Sequence, residues 1–124
     1  MRVPSGNLTI NPDLVFDCAG DVLAIGDVKY KLGTDEWNRS DLYEVVAFAA
    51  GFGVSEALVG QFSGAPSRCL MPVQIGDHTI TQVAWPAAHE LAAEAAAEAF
   101  TEGVRSWYLR HVSSQAVVTA HVPA

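Results

Sequence analysis

Residues 11–31, NPDLVFDCAGDVLAIGDVKYK, constrain the fold more than any other stretch, because they read as two short strands joined by a tight turn. Alternation over 13–17 sets Asp13, Val15 and Asp17 on one face and Leu14 and Phe16 on the other. The turn residues Cys18-Ala19-Gly20-Asp21 then reverse the chain, and 22–30 forms the return strand. Side chains two apart on a strand point the same way, so Asp27 and Lys29 share a face, and a hairpin partner carries Asp13 next to them. The apolar run Val22-Leu23-Ala24-Ile25 leads into this pair, and Gly26 permits close backbone approach just before the first acid. Charges at the edge of a buried sheet need a partner or a metal ion.

Two carboxylates and an ammonium in one place have a chemical use. Paired carboxylates hold a hard divalent cation such as Mg²⁺ through oxygen and leave water in the other positions. A protonated lysine does not ligate, but it orients a water or holds negative charge on a scissile phosphate, which suits metal-assisted phosphodiester hydrolysis. The triplet Asp27-Val28-Lys29 is short and recurs by chance in unrelated chains, so its setting in the hairpin, with Asp13 after a proline at a strand entry, carries the argument.

Pro12-Asp13 followed by Asp27-Val28-Lys29 resembles the PD-(D/E)xK nuclease signature. The longer text GDVKYK…DLYEVVAFA is similar to the nuclease subunit, of McrC type, of McrBC modified-cytosine restriction systems. The resemblance spans residues 11–62. It implies a restriction-endonuclease-like α/β fold, a mixed sheet flanked by helices. It also implies Asp13 and Asp27 as metal ligands, Lys29 as the catalytic lysine, Mg²⁺ as cofactor with Mn²⁺ as a substitute, and DNA as substrate. A GTP-hydrolysing AAA+ motor subunit of McrB type is the implied partner, since this chain has no GxxxxGK[ST] loop of its own. Tyr43 and Glu44 fall in the DLY helix as supporting positions. The family has a glutamine after that tyrosine and a second tyrosine later in the helix, where this chain has Glu44 and Phe48. Such domains generally open with a helix packed on the sheet, and no helix is expected here before the hairpin. Either residue 1 falls late in a longer subunit or another chain supplies that cover.

With 124 residues, 50% of them hydrophobic, the chain is expected to bury one core and form a single domain over 1–124. Its net charge of −7, from 14 acids against 7 bases, opposes the attraction to a polyanion on which a simple nucleic-acid-binding module depends. Cys18 and Cys69 lack the spacing of a zinc site or a disulfide framework. No apolar run approaches a membrane span, and the first ten residues lack the plan of a signal peptide, so a cytoplasmic protein is expected.

Along the rest of the chain, residues 1–9 read as an irregular lead-in. Ser40 is the expected N-cap of a helix over 41–50, with Leu42, Val45, Val46 and Ala49 on its apolar face and Gly51 or Gly53 at its end. Glu44 reads equally as a solvated helix glutamate or as a residue near the metal, and Arg39 as a solvated arginine at the helix start. Residues 55–62 form a strand beside the hairpin, reached by a right-handed crossover. A second hairpin spans 70–75 and 79–85 around Gly76-Asp77, and a long helix runs over 86–109. Glu90, Glu94, Glu98 and Glu102 make a stripe read as that helix's solvated face. Residues 116–120 suit an edge strand in a tail, 113–124, expected to fray. The reading that competes with an enzyme is a non-catalytic interaction domain retaining the same fold, for which the acidic charge, the expected lack of a front helix and Glu44 argue.

Overall fold

The computed structural model describes residues 11–32, 36–64, 70–87, 92–112 and 120–121. Strand β1 (Leu14–Cys18) and strand β2 (Asp21–Leu32) form the expected antiparallel hairpin, with Leu14 opposite Gly26 and Phe16 opposite Ala24. Its two-residue turn is left-handed at both positions, Ala19 at φ 54° and Gly20 at φ 88°, the geometry whose twist matches that of the flanking strands.

Helix α1 (Arg39–Phe52) begins earlier than Ser40 allows, because Asn38 is the cap: its side-chain oxygen accepts from the Asp41 N–H at 3.0 Å. Ser40 lies inside the first turn. Gly53 ends the helix at φ 69°, its N–H directed at the Ala49 and Ala50 carbonyls. The helix buries Leu42, Val45, Phe48 and Ala49. Strand β3 (Glu56–Ser63) then runs parallel to β2, pairing Ile25 with Ala57 and Lys29 with Gln61.

The second hairpin is shorter on its first arm than expected, β4 (Val73–Ile75) against β5 (His78–Pro86). Leu70 stands outside the ladder and gives its N–H to the Gln82 side chain instead. Pro86 closes β5 opposite Ser63 rather than opening a helix, since an edge position at a strand end needs no N–H from it. Helix α2 (Ala93–His111) follows, and β6 (Ala120–His121) pairs antiparallel with β1 at Val15 and Phe16. The lead-in and the expectation of no helix before the hairpin (1–10), most of the tail, Cys69 and Glu90 fall outside the described residues.

The sheet has the order β4-β5-β3-β2-β1-β6 and is mixed, with β2, β3 and β5 parallel. The crossover through α1 moves toward the β4 edge, and the one through α2 moves back toward β6. Crossovers of one hand travelling in opposite directions put their helices on opposite faces. The core divides accordingly. Ile25, Ala57, Val59 and Ile80 pack under α1 with Val45 and Phe48. Ala24, Leu58 and Val83 pack under α2 with Phe100, Val104 and Trp107. Phe16 meets Trp107 edge-on at 5.3 Å between ring centres, a contact worth about 1 kcal/mol beyond its burial. Helix α2 lies close to the sheet: a Cβ on Gly60 would fall 2.8 Å from the Phe100 ring, and one on Gly103 would fall 2.7 Å from Val83. Glu94, Glu98 and Glu102 face solvent. Among the described residues no helix is long and apolar enough to cross a membrane.

Candidate active site

The hairpin register that sets Leu14 opposite Gly26 carries Asp13, one residue earlier, to the level of Asp27. Pro12 is fully buried and fixes the entry of the strand. Asp13 Oδ2 accepts the Val28 N–H at 2.8 Å, so the carboxylate is held by the backbone of the opposing strand. The Asp13 carboxyl adjoins that of Asp27 closely enough to raise its pKa, beside the larger effect of burial. Asp27 is 6% exposed, in line with Ile25 on the α1 face.

Lys29 follows on the same face and extends its ammonium into a ring of acids. Its Nζ lies 2.7 Å from Asp27 Oδ2 and 3.7 Å from Asp41 Oδ1, and it donates to Glu44 Oε1. Asp41 and Glu44 are three apart on α1, so both reach down from one side of the helix. Three carboxyls thus surround one ammonium, with Asp13 behind Asp27.

Their ionisation follows from that crowding. Burial pushes the Asp27 carboxyl up to about 7; the Lys29 hydrogen bond opposes this and the neighbouring Asp13 adds to it. Burial works to lower the Lys29 ammonium, but the hydrogen bonds to Asp27 and Glu44 outweigh it and push it up. Glu44 is held down, first by its hydrogen bond to Lys29, against partial burial.

Asp13, Asp27 and Lys29, read from the hairpin, are therefore brought together, and Glu44 joins them from α1. Tyr43 is not part of the group; its side chain is exposed on the flank of the helix. Arg39 is exposed at the helix start. His78 is half-buried and directs Nδ1 at the Val54 carbonyl, 3.0 Å away, on the second hairpin. Two residues of the site escape a reading of the sequence. Asp41 lies in the first turn, where an acid complements the helix dipole, although its three-residue spacing from Glu44 is a usable signal. Gln61 pairs with Lys29 on the neighbouring strand and shares its face. Beside Asp27 it is the other buried polar side chain among the described residues, and a glutamine inside the apolar run EALVGQF is its signature.

The donor chemistry suits a hard cation. Asp13 and Asp27 offer adjacent carboxyl oxygens, and the cost of charge at Asp27, set first by burial and increased by Asp13, is one that a cation relieves. Among the described residues no three acidic, histidine or cysteine side chains are spaced to hold a metal ion together. Any cation here would be held by two carboxylates with water completing its shell, as Mg²⁺ often is. Comparison of the chain with protein-family models, with curated proteins and with solved structures gives no match.

Proposed function

We propose that the chain is a metal-dependent endonuclease domain that hydrolyses phosphodiester bonds in DNA, with a restriction-endonuclease-like core. The observation that supports this reading most is the meeting of Asp13, Asp27 and Lys29 at one point of the hairpin face. Its position at the carboxyl ends of the parallel strands β2 and β3 agrees with where open α/β sheets take their ligands. Asp13 and Asp27 would hold Mg²⁺, or Mn²⁺ in its place. When bound, such an ion supplies a Lewis acid and a water of lowered pKa. Asp13 keeps its carboxylate aimed through the Val28 N–H, and Asp27 presents an oxygen from a dry position. Lys29 orients the attacking water or holds the charge that develops on the phosphate. DNA delivery falls to a partner, a GTP-hydrolysing motor subunit, since the domain is acidic; a cytoplasmic location follows from that role.

The competing reading, a non-catalytic interaction domain, draws on the same ammonium, because Lys29 is already bonded to acids of its own chain. Plasmid nicking by the purified chain at low salt with Mn²⁺ separates the two. The expected result is measurable nicking that Lys29→Ala reduces by about 10²-fold or more. The same ion should raise the melting temperature of wild type and Lys29→Ala, and fail to raise that of Asp27→Asn. If wild type and Lys29→Ala are equally inert at every salt and metal condition, with a motor subunit added as well, the interaction domain takes the enzyme's place.

A further inference from the structure

We propose that Glu44 is a gate on Lys29, holding the ammonium where a substrate phosphodiester must bind and yielding it only to that phosphate. The inference rests on the nuclease reading and names a positioning residue for it. An ammonium has three N–H donors. One goes to Asp27 Oδ2 at 2.7 Å and one to Glu44 Oε1, while Asp41 Oδ1 waits at 3.7 Å. Two of the three donors are thus engaged, and a phosphate oxygen that takes either of them has to displace a carboxylate.

The partners differ in how easily they leave. Asp27 is 6% exposed, lies two residues away on the same strand, and has no water to turn to. The Glu44 side chain is 48% exposed at the end of a flexible stem, so its carboxylate passes into solvent at little cost. Asp41 sits beyond hydrogen-bond distance and blocks less. Charge points the same way. With Asp27, Asp41 and Glu44 around one ammonium, a phosphodiester meets repulsion from several sides. Glu44 is the outermost of these acids and the first that an incoming anion encounters.

Removing the gate should therefore act on binding rather than on the chemical step. In low-salt nicking with Mn²⁺, Glu44→Gln should lower KM about fivefold, the size expected for loss of one partly exposed competing ion pair, with kcat shifted much less. Anisotropy titration with a short duplex oligonucleotide should show the same tightening, and calorimetric titration of Mn²⁺ should be unchanged. A fall in kcat at constant KM overturns the gate and places Glu44 in the chemistry. A loss of Mn²⁺ affinity overturns it too, by making Glu44 a ligand. An active wild type whose Glu44→Gln variant matches it in KM and in oligonucleotide binding removes the gate and leaves the nuclease reading standing. Failure of the nuclease reading looks different: wild type, Glu44→Gln and Lys29→Ala are all inert, and Mn²⁺ binds wild type and Asp27→Asn alike.

Discussion

Asp27 carries the largest electrostatic tension in the described chain. Its carboxyl ionises near 7 in the folded protein against 3.8 for an unperturbed aspartate, chiefly because it is buried and then because Asp13 adjoins it. A folded-state value above the unfolded one means that the folded chain keeps a proton which the unfolded chain releases. The stability this group contributes is thus complete below about pH 4 and is lost as pH rises toward 7. Glu44 runs the other way, since Lys29 holds it down, and its contribution is lost as pH falls through its folded value. Replacing Asp27 by asparagine removes the first dependence and leaves the second. With chelator present, the melting temperature of Asp27→Asn relative to wild type should therefore climb between pH 4.5 and 8, by the equivalent of roughly 2–4 kcal/mol at the upper end. A difference that stays flat across that range, or falls, would mean that Asp27 is ionised throughout and that the Lys29 ion pair dominates it.

At the scale of elements, the hairpin is the part on which the site depends, and its turn contains a mismatch. Ala19 sits at φ 54° with a Cβ, a conformation that costs an ordinary residue about 1 kcal/mol and that asparagine tolerates. Ala19→Asn should stabilise the chain by roughly 0.5–1 kcal/mol, read as a higher denaturant midpoint with an unchanged slope. No gain there would show that the turn is relaxed in solution. The same hairpin was legible in the sequence because both of its signals are local: period-two alternation and a Gly-containing turn. Helix α1 and strand β3 were legible for the same reason, through one apolar face and one short apolar run. What the sequence did not disclose depends on contacts between distant residues. Asn38 wins the cap over Ser40 because its side chain reaches the Asp41 N–H, and both residues are good caps in isolation. Pro86 stays in β5 because Ser63 offers it a neighbour 23 positions earlier in the chain. The assignment of α2 to the face opposite α1 comes from the direction of two crossovers, which no local window contains. In the site, Asp13, Asp27 and Lys29 follow from strand period and turn and Glu44 is a candidate from the family resemblance, whereas Asp41 and Gln61 enter only once α1 is laid on the sheet and β3 is in register.

For the whole molecule, charge decides how the site meets DNA. The net −7 gives the chain no long-range attraction to a polyanion, so any affinity must come from a few direct contacts. Among the residues whose side chains are described, Lys29 and Arg39 are the cations on the α1 side of the sheet, while Arg105 and Arg110 belong to α2 on the opposite face. A protein that neutralises Z phosphates loses affinity with salt at a logarithmic slope of about −0.9Z. Two contacts therefore predict a slope near −2 and about a tenfold loss between 50 and 200 mM salt, where a DNA-binding module with many contacts loses about 10³-fold or more. Anisotropy titrations of the isolated chain against duplex DNA across that range should give this shallow dependence on a weak affinity. Lys29→Ala should flatten the slope by about one further unit, because it removes one of the two contacts. A motor subunit that supplies the grip on DNA should restore tight binding together with a steep slope. If the isolated chain instead binds tightly with a slope of −5 or steeper, the domain carries its own basic surface and the need for a DNA-delivering partner disappears.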